Sequence, residues 1–89
     1  MPKLSSETLK NKLDQAAELV TVGAEYLHYK NKRYKVLSFA ILESNNEICV
    51  IYRPQYAKEL TFIRPLNNWL ETVEWKGQRF PRFKKINKV

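Results

Sequence analysis

The chain has 89 residues, of which 44% are hydrophobic and 28% charged, and its net charge is +7 at pH 7. This length suits one small domain, and the composition is typical of a folded, soluble protein. No apolar run approaches the ~20 residues of a membrane span, and the N-terminus lacks the apolar core of a signal peptide. Cys49 is the only cysteine and cannot form an internal disulfide, so we expect a cytoplasmic protein with no membrane association.

The positive charge is concentrated in the second part of the chain. Residues 1–22 contain as many acids as bases, so the whole excess lies in residues 23–89. From Lys76 to the C-terminus there are six cations and no acid. A field of this sign attracts polyanions such as nucleic acids, although the same charge is equally consistent with solubility alone.

Residues 1–22 are predicted to form one amphipathic helix. Ser5 or Ser6 can cap its N-terminus, and Gly23 can adopt the left-handed conformation that ends a helix. One apolar stripe recurs at helical spacing, formed by Leu9, Leu13, Ala16, Ala17 and Val20. This stripe must cover either the core of the same chain or a second copy, so the sequence allows a monomer or a homodimer through the helix.

Residues 23–89 are predicted to form a β domain with a basic C-terminal tail. The turn signals are Asn31-Lys32, Asn45-Asn46 and Lys76-Gly77, while Pro54 and Pro65 end the strands that precede them. The strands are short and leave no room for crossover helices, which indicates antiparallel pairing. The predicted fold is therefore mainly β, a small antiparallel SH3-like barrel of five to six short strands with one N-terminal α-helix.

Several short motifs resemble those of a bacterial family, domain of unknown function 1653 (DUF1653). They are Tyr26-x-His28-Tyr29-Lys30-x-x-x-Tyr34-x-Val36-Leu37, Val50-x-Tyr52-Arg53-Pro54-x-Tyr56, Arg64-Pro65-Leu66 with Trp69 and Glu71, and Pro81-Arg82-Phe83. They lie in consistent order between about residues 23 and 86. The chain has Asn31 and Ala57 where the family tends to have glycine. The resemblance implies a compact β domain in the bacterial cytoplasm and implies no assigned activity.

Residues that could support catalysis are sparse. His28 is the only side chain whose ordinary pKa lies near neutrality, and the apolar neighbours of Cys49 would keep its thiol protonated and unreactive. One histidine and one cysteine cannot supply the ligands that zinc normally takes, and the two glycines form no phosphate-binding loop. We therefore predict no cofactor and no metal, and an enzyme that uses His28 is only a weaker alternative.

Aromatic residues interleaved with cations are the main functional signal. Bases stack on aromatic rings while arginine and lysine neutralise phosphates. Arg53 and Arg64 each precede a proline at a strand end, which is expected to direct the guanidinium group outward. The sequence predicts a non-catalytic module that binds an anionic ligand, either nucleic acid or nucleotide. Its predicted ligand-binding residues are Tyr26, His28, Tyr29, Lys30, Arg53, Tyr56, Arg64, Trp69 and Arg82.

The alternative interpretation is a protein-interaction or regulatory module that recognises a peptide or a partner subunit. Tyrosine, tryptophan and arginine are also the residues that dominate protein interfaces, and small barrels bind extended peptides in aromatic grooves. An apolar groove formed by Tyr26, Tyr29, Tyr52 and Tyr56, with few cations nearby, would favour this alternative.

Overall fold

The computed structural model describes residues 4–87, and the side chains of residues 4–86. Within this range the chain forms one long helix, seven strands and one single-turn helix. In chain order these are α1 (Ser6–Leu19), β1 (Glu25–His28), β2 (Arg33–Leu42), β3 (Glu47–Pro54), β4 (Phe62–Pro65), α2 (Leu66–Trp69), β5 (Thr72–Trp75), β6 (Gln78–Pro81) and β7 (Phe83–Asn87).

The helix α1 begins where the sequence predicts and ends earlier. The Oγ atom of Ser5 accepts a hydrogen bond of 3.2 Å from the backbone N–H of Thr8, which satisfies one of the free donors of the first turn. Val20 already has extended backbone, so the helix ends at Leu19. Gly23 does adopt a positive φ of 89°, but it does so in the turn that leads to β1 and does not terminate the helix.

The apolar stripe of α1 packs against the core of its own chain. Ala16 and Val20 are fully buried, and Leu9 and Leu13 are half-buried. Ala17 is exposed, so the stripe is narrower than predicted. Because an isolated helix of this length is marginal in water, burial of these residues is what holds α1 in place.

Five strands form one antiparallel sheet in the order β4-β3-β2-β1-β7, while β5 and β6 form a separate hairpin. In the long β2–β3 pair, Val36 lies opposite Tyr52, and the register shifts between Val36 and Ser38. Such an irregularity bends a strand and increases its twist. The residues described in the structure form an open sheet with β4 and β7 at its edges, so the fold is mainly β and antiparallel but the predicted SH3-like barrel is not confirmed.

The C-terminal part of the chain is divided between the two sheets. It changes partner at Arg82, which lies between β6 and β7. The segment before it pairs with β5, and the segment after it pairs with β1. Strand number therefore rises to seven in the described range, and the hairpin stands outside the main sheet.

The turns follow the predicted residue types. Lys76 and Gly77 have φ values of 53° and 78° and form the predicted two-residue hairpin turn. Asn31 and Asn46 also have positive φ, which asparagine tolerates better than most residues. The connection between β1 and β2 is longer than the expected Asn31-Lys32 pair, because it comprises residues 29–32.

The core lies between the sheet and the two helices and is rich in aromatic rings. Trp69, which α2 contributes, is stacked on Phe83 with ring centroids 3.7 Å apart. Tyr26 and Tyr52 meet Trp69 edge-on at 5.3 and 5.0 Å. The smaller buried residues that complete the core are Val20, Ala24, Val36 and Val50. Edge-to-face and offset contacts of this kind add to the free energy of burying the rings.

Candidate functional site

A group of half-buried and exposed polar side chains lies on the core-facing side of the sheet, next to the aromatic core. We call it the Arg64 cluster and define it as His28, Tyr34, Tyr56, Arg64 and Arg82. Cross-strand pairing brings most of it together. Residues directly opposite each other on neighbouring strands project to the same face of a sheet. Tyr34, His28 and Arg64 each lie opposite a core residue, namely Tyr26, Phe83 and Val50, and therefore share the face of the core.

Arg64 is half-buried and is held only by neutral groups. Its Nε donates a hydrogen bond of 3.1 Å to the hydroxyl of Tyr52, and its Nη1 donates to the side-chain oxygen of Asn68. The guanidinium carbon lies 5.3 Å from the centroid of the Phe83 ring. Among the described residues, no carboxylate lies within 4.0 Å of this guanidinium group. Within the described residues Arg64 therefore forms no direct ion pair.

Arg82 is also bound by Asn68 of α2, but unlike Arg64 it is paired with an acid. Its Nε donates to the backbone oxygen of Asn68 at 3.0 Å, and its Nη2 donates to Oε1 of Glu71 at 2.9 Å. The side chain of Arg82 is 19% exposed, against 55% for that of Glu71. Asn68 thus anchors both arginines, one through its side chain and the other through its backbone.

His28 is neutral in this environment. Burial, followed by the nearby charges of Arg64, Arg82 and Lys30, lowers the pKa of His28 from 6.5 to about 4. Its Nδ1 accepts a hydrogen bond of 3.2 Å from the backbone N–H of Lys30. A neutral imidazole carries one proton, so at pH 7 that proton is on Nε2, which is left as a donor.

Tyr34 and Tyr56 form the other side of the Arg64 cluster. Their hydroxyl oxygens are 3.5 Å apart, and their rings meet edge-on at 6.0 Å. Burial and then the hydrogen bond to Tyr56 raise the pKa of Tyr34 to about 12, so the Tyr34 hydroxyl is neutral at pH 7. Tyr56 is 59% exposed, and the ammonium group of Lys32 lies 4.8 Å from its ring centroid.

Two open depressions flank the Arg64 cluster. One, of about 340 Å³, adjoins Tyr56 and is lined by Asn31, Lys32, Arg33, Gln55 and Tyr56. The other, of about 240 Å³, adjoins His28 and is lined by Leu27, His28, Tyr29, Asn31, Phe80, Pro81 and Lys84. Each combines at least one aromatic ring with at least one cation. A further depression of about 320 Å³ lies between α1 and α2, away from the cluster, and its lining includes both Lys12 and Glu47.

Tyr29 and Lys30, also predicted as ligand-binding residues, extend this surface towards the β5–β6 hairpin. The Tyr29 ring lies 4.4 Å from that of His28 and 5.8 Å from that of Trp75. Lys30 lies 5.8 Å from the Tyr29 centroid, and Lys76 lies 4.6 Å from the Trp75 centroid. The aromatic rings on this side of the molecule are thus accompanied by lysines.

Three of the nine predicted site residues lie neither in the Arg64 cluster nor on the adjoining surface that Tyr29 and Lys30 form. Tyr26 and Trp69 are 5% and 2% exposed and belong to the core, and the hydroxyl of Tyr26 accepts the backbone N–H of Thr21 at 2.9 Å. Arg53 lies opposite Lys35 and alternates with the buried residues of β3, so it is on the other face of the sheet. Its Nε is buried and has no hydrogen-bond partner among the described residues.

Sequence reasoning did not select Tyr34, Lys32 or Asn68 as site residues. Tyr34 could have been found from its strand position, because it shares a face with the buried Val36 and lies near the start of β2. Asn68 carried no recognisable signal, since its role depends on the position of α2 next to β4.

The described residues hold no group of three or more histidine, cysteine, aspartate or glutamate side chains that could bind a metal ion. Cys49 is buried, and burial followed by the charge of Glu47 raises the pKa of its thiol. Between residues 4 and 87, no helix is long and apolar enough to cross a membrane.

Comparison with known proteins places the β domain in a family. Residues 24–85 match the model of the family described as protein of unknown function, DUF1653. The chain is 32% identical to a DUF1653 protein from Bordetella bronchiseptica whose crystal structure is known; the two structures align with a TM-score of 0.67, covering 75% of this chain and 88% of that one. No curated protein matches the chain. The matched range begins at Ala24, beyond α1, and includes all the motifs that suggested the resemblance, so the chain belongs to the DUF1653 family.

Proposed function

We propose that this domain is a non-catalytic module that binds an anionic ligand, with single-stranded nucleic acid as the first candidate and free nucleotide as the second. The observation that carries the proposal is Arg64, a half-buried guanidinium group whose hydrogen-bond partners within the described residues are neutral. A partly desolvated charge is costly unless an opposite charge is in contact with it, and no described carboxylate lies within 4.0 Å of Arg64. A bound phosphate would supply that opposite charge.

The more exposed aromatic residues of this surface suit a nucleic acid. Tyr56 is largely exposed, and a base stacked on such a ring contributes about 1–3 kcal/mol. Lys32 and Lys30 lie beside the Tyr56 and Tyr29 rings, where they can neutralise the phosphates on either side of a stacked base.

The same arrangement gives less support to a peptide groove. Tyr26 and Tyr52 are buried in the core, and the more exposed tyrosines carry lysines next to their rings. The apolar groove with few cations, which would favour a peptide ligand, is not the surface that these residues form. An enzyme dependent on His28 also has little support, because a group with a pKa of about 4 is a weak general base at neutral pH.

The proposal is tested by fluorescence anisotropy with a labelled oligothymidylate of about eight nucleotides, a length within the range that small single-strand-binding domains cover. We expect affinity to fall linearly with the logarithm of salt concentration, with a slope of about −0.7 for each phosphate contacted. Arg64→Gln and Tyr56→Ala should each weaken binding about tenfold, which corresponds to ~1.4 kcal/mol.

Lys10→Gln is the matched control. It removes the same unit of charge from an exposed position on α1. Tyr56→Ala guards against misfolding as an explanation, because a side chain this exposed contributes little to the core. An equal loss of affinity in the Lys10 and Arg64 variants would show that binding depends only on net charge and not on the Arg64 cluster. No binding even at low salt would reject the proposed function.

A further inference from the structure

We propose that the Arg64 cluster takes a singly charged phosphodiester, the linkage between nucleotides, in preference to a doubly charged terminal phosphate. This inference rests on the proposed function and names the class of anion that the same site selects. It follows from the charges that the cluster brings together and from the number of neutral donors beside them.

Asn68 is hydrogen-bonded to Arg64, Arg82 and Glu71, and these three side chains together carry a net charge of +1. The charge of Arg82 is matched by Glu71, to which it is hydrogen-bonded at 2.9 Å. The charge of Arg64 has no such partner within 4.0 Å among the described residues. The ligand therefore meets one local positive charge that is not already neutralised by the chain.

The other polar groups of the Arg64 cluster are neutral. His28 is packed against β7 and β2 through Phe83 and Tyr34. The charged groups that affect it are Arg64 from β4, Arg82 from the β6–β7 junction and Lys30 from the loop after β1, and all of them disfavour a proton on the imidazole. The pKa of Tyr34 is raised to about 12, so its hydroxyl is a neutral donor at pH 7, and the hydroxyl of Tyr56 lies 3.5 Å from it.

These donors match a phosphodiester better than a terminal phosphate. A phosphodiester carries one negative charge, whereas a phosphomonoester carries about −1.5 to −2 at pH 7. The second charge of a monoester would meet no second unpaired guanidinium group in the Arg64 cluster, which is unfavourable on a half-buried surface. Neutral hydroxyl and imidazole donors can serve the remaining oxygens of a diester without adding charge.

The lysines at the edge of the site act on both kinds of anion. Lys30 and Lys32 are exposed, and at about 150 mM salt the interactions of exposed charges are screened beyond ~8 Å. Screening weakens this non-specific attraction, so the choice between diester and monoester is expected to depend mainly on Arg64 and the groups beside it. The test is therefore carried out at physiological ionic strength.

The experiment measures how two competitors displace the labelled oligothymidylate: thymidine 5′-monophosphate and its methyl ester. The two share one base and one sugar and differ in the charge of the phosphate, which at about pH 7.5 is double in the first and single in the second. We expect the methyl ester to displace the oligonucleotide at a concentration at least about threefold lower than the monophosphate. His28 is the only histidine, so the shift of its imidazole signals in NMR spectra shows directly whether either competitor reaches the cluster.

Equal displacement, stronger displacement by the monophosphate, or no displacement by either while the oligonucleotide remains bound would each overturn this inference and leave the proposed function standing. If the oligonucleotide itself does not bind, the proposed function fails and this inference fails with it. The two failures are therefore distinguishable.

A charge variant provides a second, independent readout. Glu71→Gln retains an oxygen that can accept the hydrogen bonds from Arg82 and Asn68 but removes the compensating charge. We expect this variant to bind the monophosphate more tightly and to lower the preference for the methyl ester at least about threefold. Glu18→Gln, an equal charge change at an exposed position of α1, is expected to leave the preference unchanged. An unchanged preference in the Glu71 variant would contradict the inference.

Discussion

The rings of Trp69 and Phe83 are stacked, with their centroids 3.7 Å apart and their planes inclined by 6°. Phe83 also lies beneath the guanidinium group of Arg64, and Tyr52 meets both rings edge-on while accepting a hydrogen bond from Arg64. The Arg64 cluster is therefore built directly on the aromatic core. Substitutions in the stacked pair should therefore affect both the stability of the fold and the position of Arg64.

Replacement of Trp69 by phenylalanine is expected to lower the free energy of unfolding by about 1–3 kcal/mol, because the smaller ring leaves a cavity beside Phe83. Urea denaturation followed by circular dichroism measures the change. Trp75→Phe is the matched control: Trp75 is 37% exposed, and its substitution should change stability by no more than about 0.5 kcal/mol. Equal effects of the two substitutions would argue against the stacked core.

The tyrosine assigned to the core, Tyr26, should behave differently from the more exposed Tyr29. Tyr26→Phe removes the hydroxyl that accepts the backbone N–H of Thr21, which should cost about 1 kcal/mol or more if that N–H finds no other acceptor. The hydroxyl of Tyr29 makes no hydrogen bond to any residue that the structure describes, so Tyr29→Phe is expected to be neutral. Thermal unfolding of both variants makes the comparison, and a neutral Tyr26 variant would show that the bond contributes nothing.

The turn at Lys76-Gly77 offers a test of backbone strain. Gly77 has a φ of 78°, and a Cβ atom placed there would meet no other atom within 4 Å. Gly77→Ala should therefore destabilise the domain by about 1–2 kcal/mol through its backbone conformation alone, since alanine adopts this region poorly. Gly77→Asn should cost clearly less, because asparagine tolerates positive φ. Equal losses in the two variants would indicate a cause other than φ, and chemical denaturation provides the measurement.

The lowered pKa of His28 makes stability depend on pH. Because the unfolded chain binds a proton near pH 6.5 and the folded chain only near pH 4, protonation favours unfolding between these values. The contribution of neutral His28 to the free energy of unfolding is therefore complete above pH 6.5 and is lost as the pH falls towards 4. His28→Gln should reduce this loss when the free energy of unfolding is compared with that of the wild type at each pH.

Titration of the single imidazole by NMR checks the same prediction directly. Comparison of the two proteins at each pH removes the contributions that other groups make to both. A midpoint near 6.5 in the folded protein would contradict the burial of His28 among cations. So would a pH dependence of stability that the substitution leaves unchanged.

Local sequence was sufficient for several elements of the fold. Ser5 and the spacing of Ala16 and Val20 specify the start and the buried face of α1, since both depend on neighbours within a few turns. Lys76-Gly77 specifies a hairpin turn for the same reason. The family motifs likewise predicted a β domain. These features need no knowledge of distant parts of the chain.

The composition of the site depends on distant contacts and was predicted only in part. Tyr26 and His28 lie on the same face of β1, and alternation alone treats them alike. Packing against Trp69 buries Tyr26, whereas His28 remains partly accessible next to Arg64. Similarly, Arg53 and Arg64 both precede proline, but their strands present them to opposite faces of the sheet.

The anchoring of both arginines by Asn68 has a consequence for the motion of the domain. A ligand that immobilises Arg64 would also restrain α2, because Asn68 belongs to α2. Through Trp69, which is also in α2, it would restrain the aromatic core. Occupancy should then slow the hydrogen exchange of amides in α2 and β3, including amides of residues that do not touch the ligand themselves. Slower hydrogen exchange in the core would then indicate that the ligand site is occupied.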